Sequence, residues 1–140
     1  MTSAVFKILY RVSWVDTDAA QVMHFSNYLR LFERAEEEFY RSLGFSFTEL
    51  KDSELWLPRV EAFCQYKKPA RFNDLLEIEL RIEELRQKSV KYGFRIINKK
   101  KEELLALGYM TMVAADKRRE KAIPIPEQIM EKLRSFANNP

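Results

Sequence analysis

Ser26-Asn-Tyr-Leu-Arg-Leu-Phe-Glu-Arg-Ala-Glu-Glu-Glu-Phe-Tyr-Arg-Ser-Leu-Gly44 is the one long helical pattern in this chain. Tyr28, Phe32, Ala35, Phe39 and Leu43 recur at steps of four and three, which gives a single apolar face. Leu29, Leu31 and Tyr40 widen that face, so the helix is expected to be covered on more than one side. Ser26 or Asn27 is expected to cap its start, and Gly44 to stop it. Glu33, Glu37 and Arg41 lie four apart on the opposite face, a solvated ladder worth a few tenths of a kcal/mol per favourable pair.

On both sides of this helix the period changes to two. Phe6, Ile8, Tyr10, Val12 and Trp14 alternate with polar residues and predict a strand over 5–15. After a short helical turn around Phe47 to Lys51, strands are expected at 55–67, 74–85, 89–97 and 103–116. The last is apolar almost throughout from Leu104 to Ala115, which predicts a central strand buried on both faces. Arg86–Lys88 and Asn98–Glu102 are short enough for hairpin turns, and 126–137 reads as a weak amphipathic helix. Strand, long helix, then four strands is an α+β layer pair with a five-stranded sheet against one helix. A helix of about 17 residues is roughly 26 Å long, too short to cover five strands, and edge strands need partners. These two facts predict a homodimer joined sheet edge to sheet edge.

The 140 residues suit one domain over 1–140, with 46% hydrophobic and 32% charged residues. With 24 Lys plus Arg against 21 Asp plus Glu, the net charge is only +3, spread along the chain. Acids interrupt the basic residues, and no RNA-reading aromatic motif accompanies them, so nucleic acid is not an expected partner. One cysteine, Cys64, and one histidine, His24, exclude a disulfide framework and a Cys- or His-rich metal site within the chain. No run reaches the ~20 apolar residues of a membrane span. The expectation is a cytoplasmic protein in a reducing compartment.

Chemistry is sought in the loop Asp16-Thr17-Asp18-Ala19-Ala20-Gln21, which has neither period. Its two carboxylates precede Val22-Met23-His24-Phe25, the approach to the helix N-terminus. Free backbone N–H groups there can stabilise an oxyanion, and a carboxylate across a small gap can attack an acyl carbon or activate water. On residue types alone the two aspartates serve equally well as caps of a turn.

Val12-x-Trp14-x-Asp16-Thr17-Asp18-Ala19-x-x-Val22-x-His24-Phe25-Ser26-Asn27-Tyr28-Leu29-x-x-Phe32-Glu33-x-Ala35 resembles the signature of the hotdog-fold acyl-CoA thioesterases, in the 4-hydroxybenzoyl-CoA thioesterase and YbgC-type branch. Tyr66-x-x-Pro69-Ala70-Arg71-x-x-Asp74 is similar to that branch further on, and length and element order match over nearly the whole chain. The resemblance implies a curved antiparallel sheet wrapped around the helix, dimers with a continuous sheet, and dimers paired into tetramers. It implies an acyl-CoA substrate, no metal or cofactor, Asp18 as the catalytic carboxylate and the Phe25 amide as the group polarising the thioester carbonyl. Asp16 would shape the loop, and Tyr28 would line the acyl pocket or join the core. Arg86-Gln87-Lys88-Ser89 resembles the basic turn that holds the nucleotide end of CoA, and a sheet meander puts Lys117, Arg118, Arg119 and Lys121 at the same end. Lys99–Lys101 falls at the other.

One departure stands out. The family has a glycine shortly after its catalytic aspartate, where a positive φ is free of cost; this chain has Ala20-Gln21. His24 is the candidate base if the chemistry is instead that of a hotdog hydratase or dehydratase, and a non-catalytic acyl-CoA binding module is the other alternative. Cys64 reads as a core or interface filler, and Glu61 as a residue facing a partner's pocket.

Overall fold

The computed structural model describes residues 4–45, 48, 50 and 53–138; of the helical turn expected around Phe47 to Lys51, Thr48 and Leu50 are helical and the other three lie outside the described residues. The elements run β1 (Phe6–Arg11), a 3₁₀ turn (Trp14–Asp16), α1 (Ser26–Ser42), β2 (Leu55–Trp56), β3 (Arg59–Tyr66), β4 (Leu75–Leu85), β5 (Ser89–Asn98), β6 (Glu103–Val113), β7 (Ala115–Asp116), β8 (Lys121–Ala122) and α2 (Glu127–Ala137). Five strands form one antiparallel sheet in the order β1-β4-β5-β6-β3, and β2-β7-β8 form a small second sheet. This is the expected α+β architecture, with α1 packed on one sheet face.

The alternation read from sequence shows which face that is. Leu76, Ile78 and Leu80 of β4, Val90, Tyr92, Phe94 and Ile96 of β5, and Met110 and Met112 of β6 are buried under Tyr28, Leu31, Phe32, Ala35, Phe39 and Tyr40 of α1. Each large apolar side chain so buried is worth about 1.5–3 kcal/mol. Phe32 stacks on Phe94 with centroids 4.5 Å apart. Gly108 lies beneath it: a Cβ there would stand 2.0 Å from the Phe63 carbonyl oxygen and 2.8 Å from the Phe32 ring. Only glycine lets helix, β6 and β3 approach this closely. The amphipathic α2 closes the far end of the core through Ile129, Met130 and Leu133, and its Phe136 meets Phe39 edge-on.

Four expectations are corrected. The first strand ends at Arg11 rather than 15, because the Asp16 carboxylate accepts from the Ser13 N–H at 2.8 Å and winds Trp14–Asp16 into a turn. Trp14 is therefore 81% exposed rather than on a sheet face. The 55–67 strand is split at Leu57-Pro58, since proline has no N–H for a ladder; β2 pairs with β7 and β3 with β6. The 103–116 strand likewise breaks after Val113, where the Ala114 N–H turns to the Lys88 carbonyl. Finally, β5 is the central strand, and β6 alternates buried with half-buried residues. Its outward side looks apolar in sequence because Tyr109 is covered locally, stacked on Phe63 and capped by the Lys91 ammonium at 4.2 Å.

Strand β3 forms a sheet edge. Val60, Phe63 and Tyr66 on it are 64%, 44% and 46% exposed, an apolar edge of the kind that pairs with another strand. Among the described residues no helix is long and apolar enough to cross a membrane.

Candidate active site

The loop between β1 and α1 is built around Asp16. Its carboxylate accepts from the Tyr10 hydroxyl at 2.6 Å and from Ser13 N–H. Burial foremost, and then this carboxylate, raises the Tyr10 pKa above its ordinary value. The Asp16 carbonyl accepts from His24 N–H and from the Asn27 side-chain amide, both at 2.8 Å. One residue thus ties the outgoing arm of the loop to the start of the helix.

Beyond Asp16 the arms run antiparallel. Thr17 bridges Met23, and the Asp18 N–H donates to the Val22 carbonyl at 3.1 Å. The Gln21 N–H returns to the Asp18 carbonyl, closing a turn over 18–21. Gln21 has φ +66°, so it adopts the left-handed backbone that the family's glycine would supply. The returning arm is pinned to the β3–β4 connection by Met23 N–H to the Ala70 carbonyl, at 2.7 Å.

Asp18 sits exposed at this turn. One carboxylate oxygen, Oδ1, accepts from Ala20 N–H at 2.8 Å, and Oδ2 has no partner among the described residues. On the other arm, the His24 carbonyl accepts from Asn27 N–H at 2.9 Å. The peptide joining His24 to Phe25 is trans, so its N–H points away from the helix turn that holds its C=O. Among the described residues nothing accepts from that Phe25 N–H. A free carboxylate oxygen and a free helix-start amide therefore stand on two arms of one loop. Both residues are exposed in the single chain.

Neither Ser26 nor Asn27 caps α1; Phe25 occupies that position, without a side-chain cap. Asn27 spends its side chain on Asp16, and Ser26 is itself held by the His24 ring, whose Nδ1 lies 3.2 Å from the Ser26 N and 2.8 Å from its hydroxyl. Tyr28 belongs to the core at 3% exposure, its hydroxyl accepting from Ala70 N–H. Its ring meets Tyr66 edge-on at 4.9 Å. Tyr66 is the residue the sequence reading missed: from the end of β3 its hydroxyl donates to the Phe25 carbonyl at 3.0 Å. Its place in Tyr66-x-x-Pro69 was the available signal. Cys64, half-buried on the same strand, has its thiol pKa pushed up by burial.

The basic turn lies elsewhere. Arg86 N–H donates to the Ser89 carbonyl, closing the β4–β5 hairpin, and the Arg86 and Lys88 side chains are exposed, with Glu84 3.4 Å from Arg86. The bond from Ala114 to Lys88 brings the 117–121 segment to the same end, as the meander predicts. There Asp116 accepts from the N–H groups of Arg118 and Arg119 and pairs with the Arg119 side chain, interactions that lower its pKa, the Arg119 N–H foremost. Asp18, however, adjoins the opposite end of β4. β4 is eleven residues long, about 35 Å from end to end. Within one chain, Arg86, Lys88 and Ser89 are not brought to Asp18.

Residues 12–133 match the thioesterase-like superfamily. The acyl-CoA thioester hydrolase YbgC of Escherichia coli is 30% identical over 130 residues, covering 93% of this chain and 96% of that protein. The solved gentisyl-coenzyme A thioesterase is 32% identical with a TM-score of 0.82, over 91% of this chain and 98% of that one. A 1,4-dihydroxy-2-naphthoyl-CoA thioesterase from Synechocystis, 23% identical, shares the fold at a TM-score of 0.91, over 97% and 99% of the two chains. The chain belongs to the thioesterase-like superfamily, hotdog-fold enzymes that hydrolyse thioesters.

Proposed function

We propose that this protein hydrolyses an acyl-CoA, with a short or medium aliphatic or an aromatic acyl group, to the free acid and CoA. The observation behind this reading is the pair of unspent groups on one loop: Asp18 Oδ2 and the Phe25 N–H. With the thioester carbonyl oxygen on the Phe25 amide, the positive end of α1 and that N–H stabilise the charge that develops as the carbonyl becomes tetrahedral. Asp18 either attacks the carbonyl carbon, expelling CoA thiolate and leaving an acyl–aspartyl anhydride that water opens, or takes the proton from an attacking water. The relatives named for acyl-CoA and gentisyl-CoA hydrolysis support the substrate class.

The working unit is a homodimer, itself paired into a tetramer. Antiparallel pairing of two β3 edges sets the Arg59 end of one beside the Tyr66 end of the other, and Tyr66 touches Phe25. From there the partner's β4–β5 turn lies about three strand spacings away, or ~14 Å, along the path of an extended pantetheine arm. The partner's Arg86 and Lys88 then hold the nucleotide phosphates, and its Ser89 adds a hydroxyl. Tyr28 supports the acyl side through Tyr66 rather than by direct exposure.

Hydratase chemistry by His24 is disfavoured by geometry. A backbone N–H can only donate, so the Nδ1 lone pair is committed to Ser26. The deciding experiment is CoA release from a panel of acyl-CoAs. Asp18→Asn is expected to lower kcat by at least about 10²-fold with folding unchanged. Near wild-type turnover in that variant refutes the mechanism, and ligand-induced stabilisation without any turnover in the native protein marks a binding module.

A further inference from the structure

We infer that His24 is a positioning residue whose imidazole sets the orientation of the Phe25 amide. This inference rests on the reading of that amide as the oxyanion donor. The peptide carrying the Phe25 N–H begins at His24, and three groups of His24 are fixed. Its N–H donates to the Asp16 carbonyl at 2.8 Å, and its C=O accepts from Asn27 N–H at 2.9 Å. Its Nδ1 accepts from the Ser26 N–H, while the Ser26 hydroxyl lies 2.8 Å from the same nitrogen. Since the Ser26 N–H cannot accept, the ring proton belongs on Nε2.

The bond from Ser26 N–H back to a side chain two residues earlier has the spacing of an Asx-turn, normally made by Asn or Asp. Here an imidazole makes it, and its ring also stacks on the Phe25 ring with centroids 4.3 Å apart. Phe25, which carries the reactive N–H, and Ser26 after it are thereby held by the side chain of the residue before them, one through the ring face and the other through Nδ1. This explains why α1 starts cleanly without a Ser, Thr, Asn or Asp cap. It gives the lone histidine a task other than proton transfer.

The two roles separate by substitution. His24→Ala and His24→Phe both remove the acceptor, and His24→Phe keeps an aromatic face for Phe25. Both are expected to lose about 10- to 100-fold in kcat, as misplacement of a reacting group does, with KM for the acyl-CoA within about twofold. His24→Asn restores an i to i+2 acceptor and is expected to return most of that loss. An Asn variant as slow as Ala, or a Phe variant as fast as the native protein, overturns the inference. A cap that matters to stability alone would lower the denaturation midpoint of His24→Ala and leave kcat untouched, which also overturns it. Backbone amide NMR supplies a readout independent of turnover: the Phe25 and Ser26 N–H resonances should move in the Ala and Phe variants and lie near their native positions in Asn. Absence of thioester hydrolysis by the native protein refutes the proposed function, whereas the amide resonances judge the role of His24 on their own.

Discussion

Arg59→Met should be among the most damaging single changes outside the proposed catalytic loop, although Arg59 occupies an edge strand. Its partner Glu36 lies on the buried side of α1 with no exposed surface. Arg59 Nε donates to Glu36 Oε1 at 3.2 Å, and Nη2 forms an ion pair with the other oxygen. Burial is the main influence on Glu36 and raises its pKa; the Arg59 charge and hydrogen bond pull it back down. Removing the guanidinium strands a carboxylate beside the buried Tyr40–Tyr92 hydroxyl pair. Breaking a buried ion pair costs about 3–5 kcal/mol. Because the Arg59 side chain is 28% exposed, some water can enter, and the lower end, about 3 kcal/mol, is expected. In a domain of this size that lowers Tm by about 10 °C. The double variant Glu36→Leu with Arg59→Met should recover to within about 1 kcal/mol of the native protein.

The pH dependence follows from the sign of the shift. A carboxyl whose folded pKa lies above its unfolded value favours folding when protonated, so its contribution is fullest below the unfolded pKa and is lost as pH rises through the folded one. Arg59→Met removes the two largest influences that lower the Glu36 pKa and leaves only the Tyr40 hydrogen bond, so its deficit should shrink from neutral to mildly acidic pH. Urea denaturation at both pH values and at fixed protomer concentration measures this. A deficit under about 1 kcal/mol, or a double variant no more stable than the single, refutes the reasoning.

Gly108→Ala should cost about 3 kcal/mol and slow turnover, because the new methyl meets the Phe63 backbone and displaces the strand bearing Tyr66. Gly93→Ala meets only the flexible Glu83 side chain and should cost less than about 1 kcal/mol; thermal melts of the two distinguish backbone from side-chain obstruction. Gln21→Gly should fold and turn over normally, since relief of the left-handed backbone offsets the entropy of glycine. Gln21→Val should lose about 1–2 kcal/mol in the same melts, a β-branched residue being least tolerant of this φ. Arg86→Ala and Lys88→Ala should raise KM for acyl-CoA, most clearly at low salt, and leave hydrolysis of the matching N-acetylcysteamine thioester unchanged. An equal effect on both substrates would show that the turn does not hold the nucleotide.

How far the chain could be read without coordinates depended on the range of each interaction. The inner faces of β4 and β5, the apolar face of α1, its stop at Gly44 and the hairpins at 86–88 and 98–102 were legible, because period and turn chemistry act between near neighbours. The Asp16–Phe25 loop was legible as a candidate site, since its polar, aperiodic stretch directly precedes a helix start. The resemblance then assigned roles within it that spacing alone left open. Glu36 was not legible: in the run Glu36-Glu37-Glu38 nothing local marks the first as buried, and its reason is Arg59, on a strand 23 positions later.

The same limit hid Tyr66, whose hydroxyl reaches Phe25 across 41 positions, and the imidazole cap, which depends on ring geometry that residue type does not reveal. It also hid the separation of Arg86 from Asp18. Sequence by itself determined the main elements, the buried faces and the candidate loop, all products of local backbone preference and solvent avoidance. Tertiary structure alone decided which charges are buried and which edge stays open. It also decided which end of the sheet each site residue occupies, because those outcomes depend on contacts between segments that no local pattern encodes.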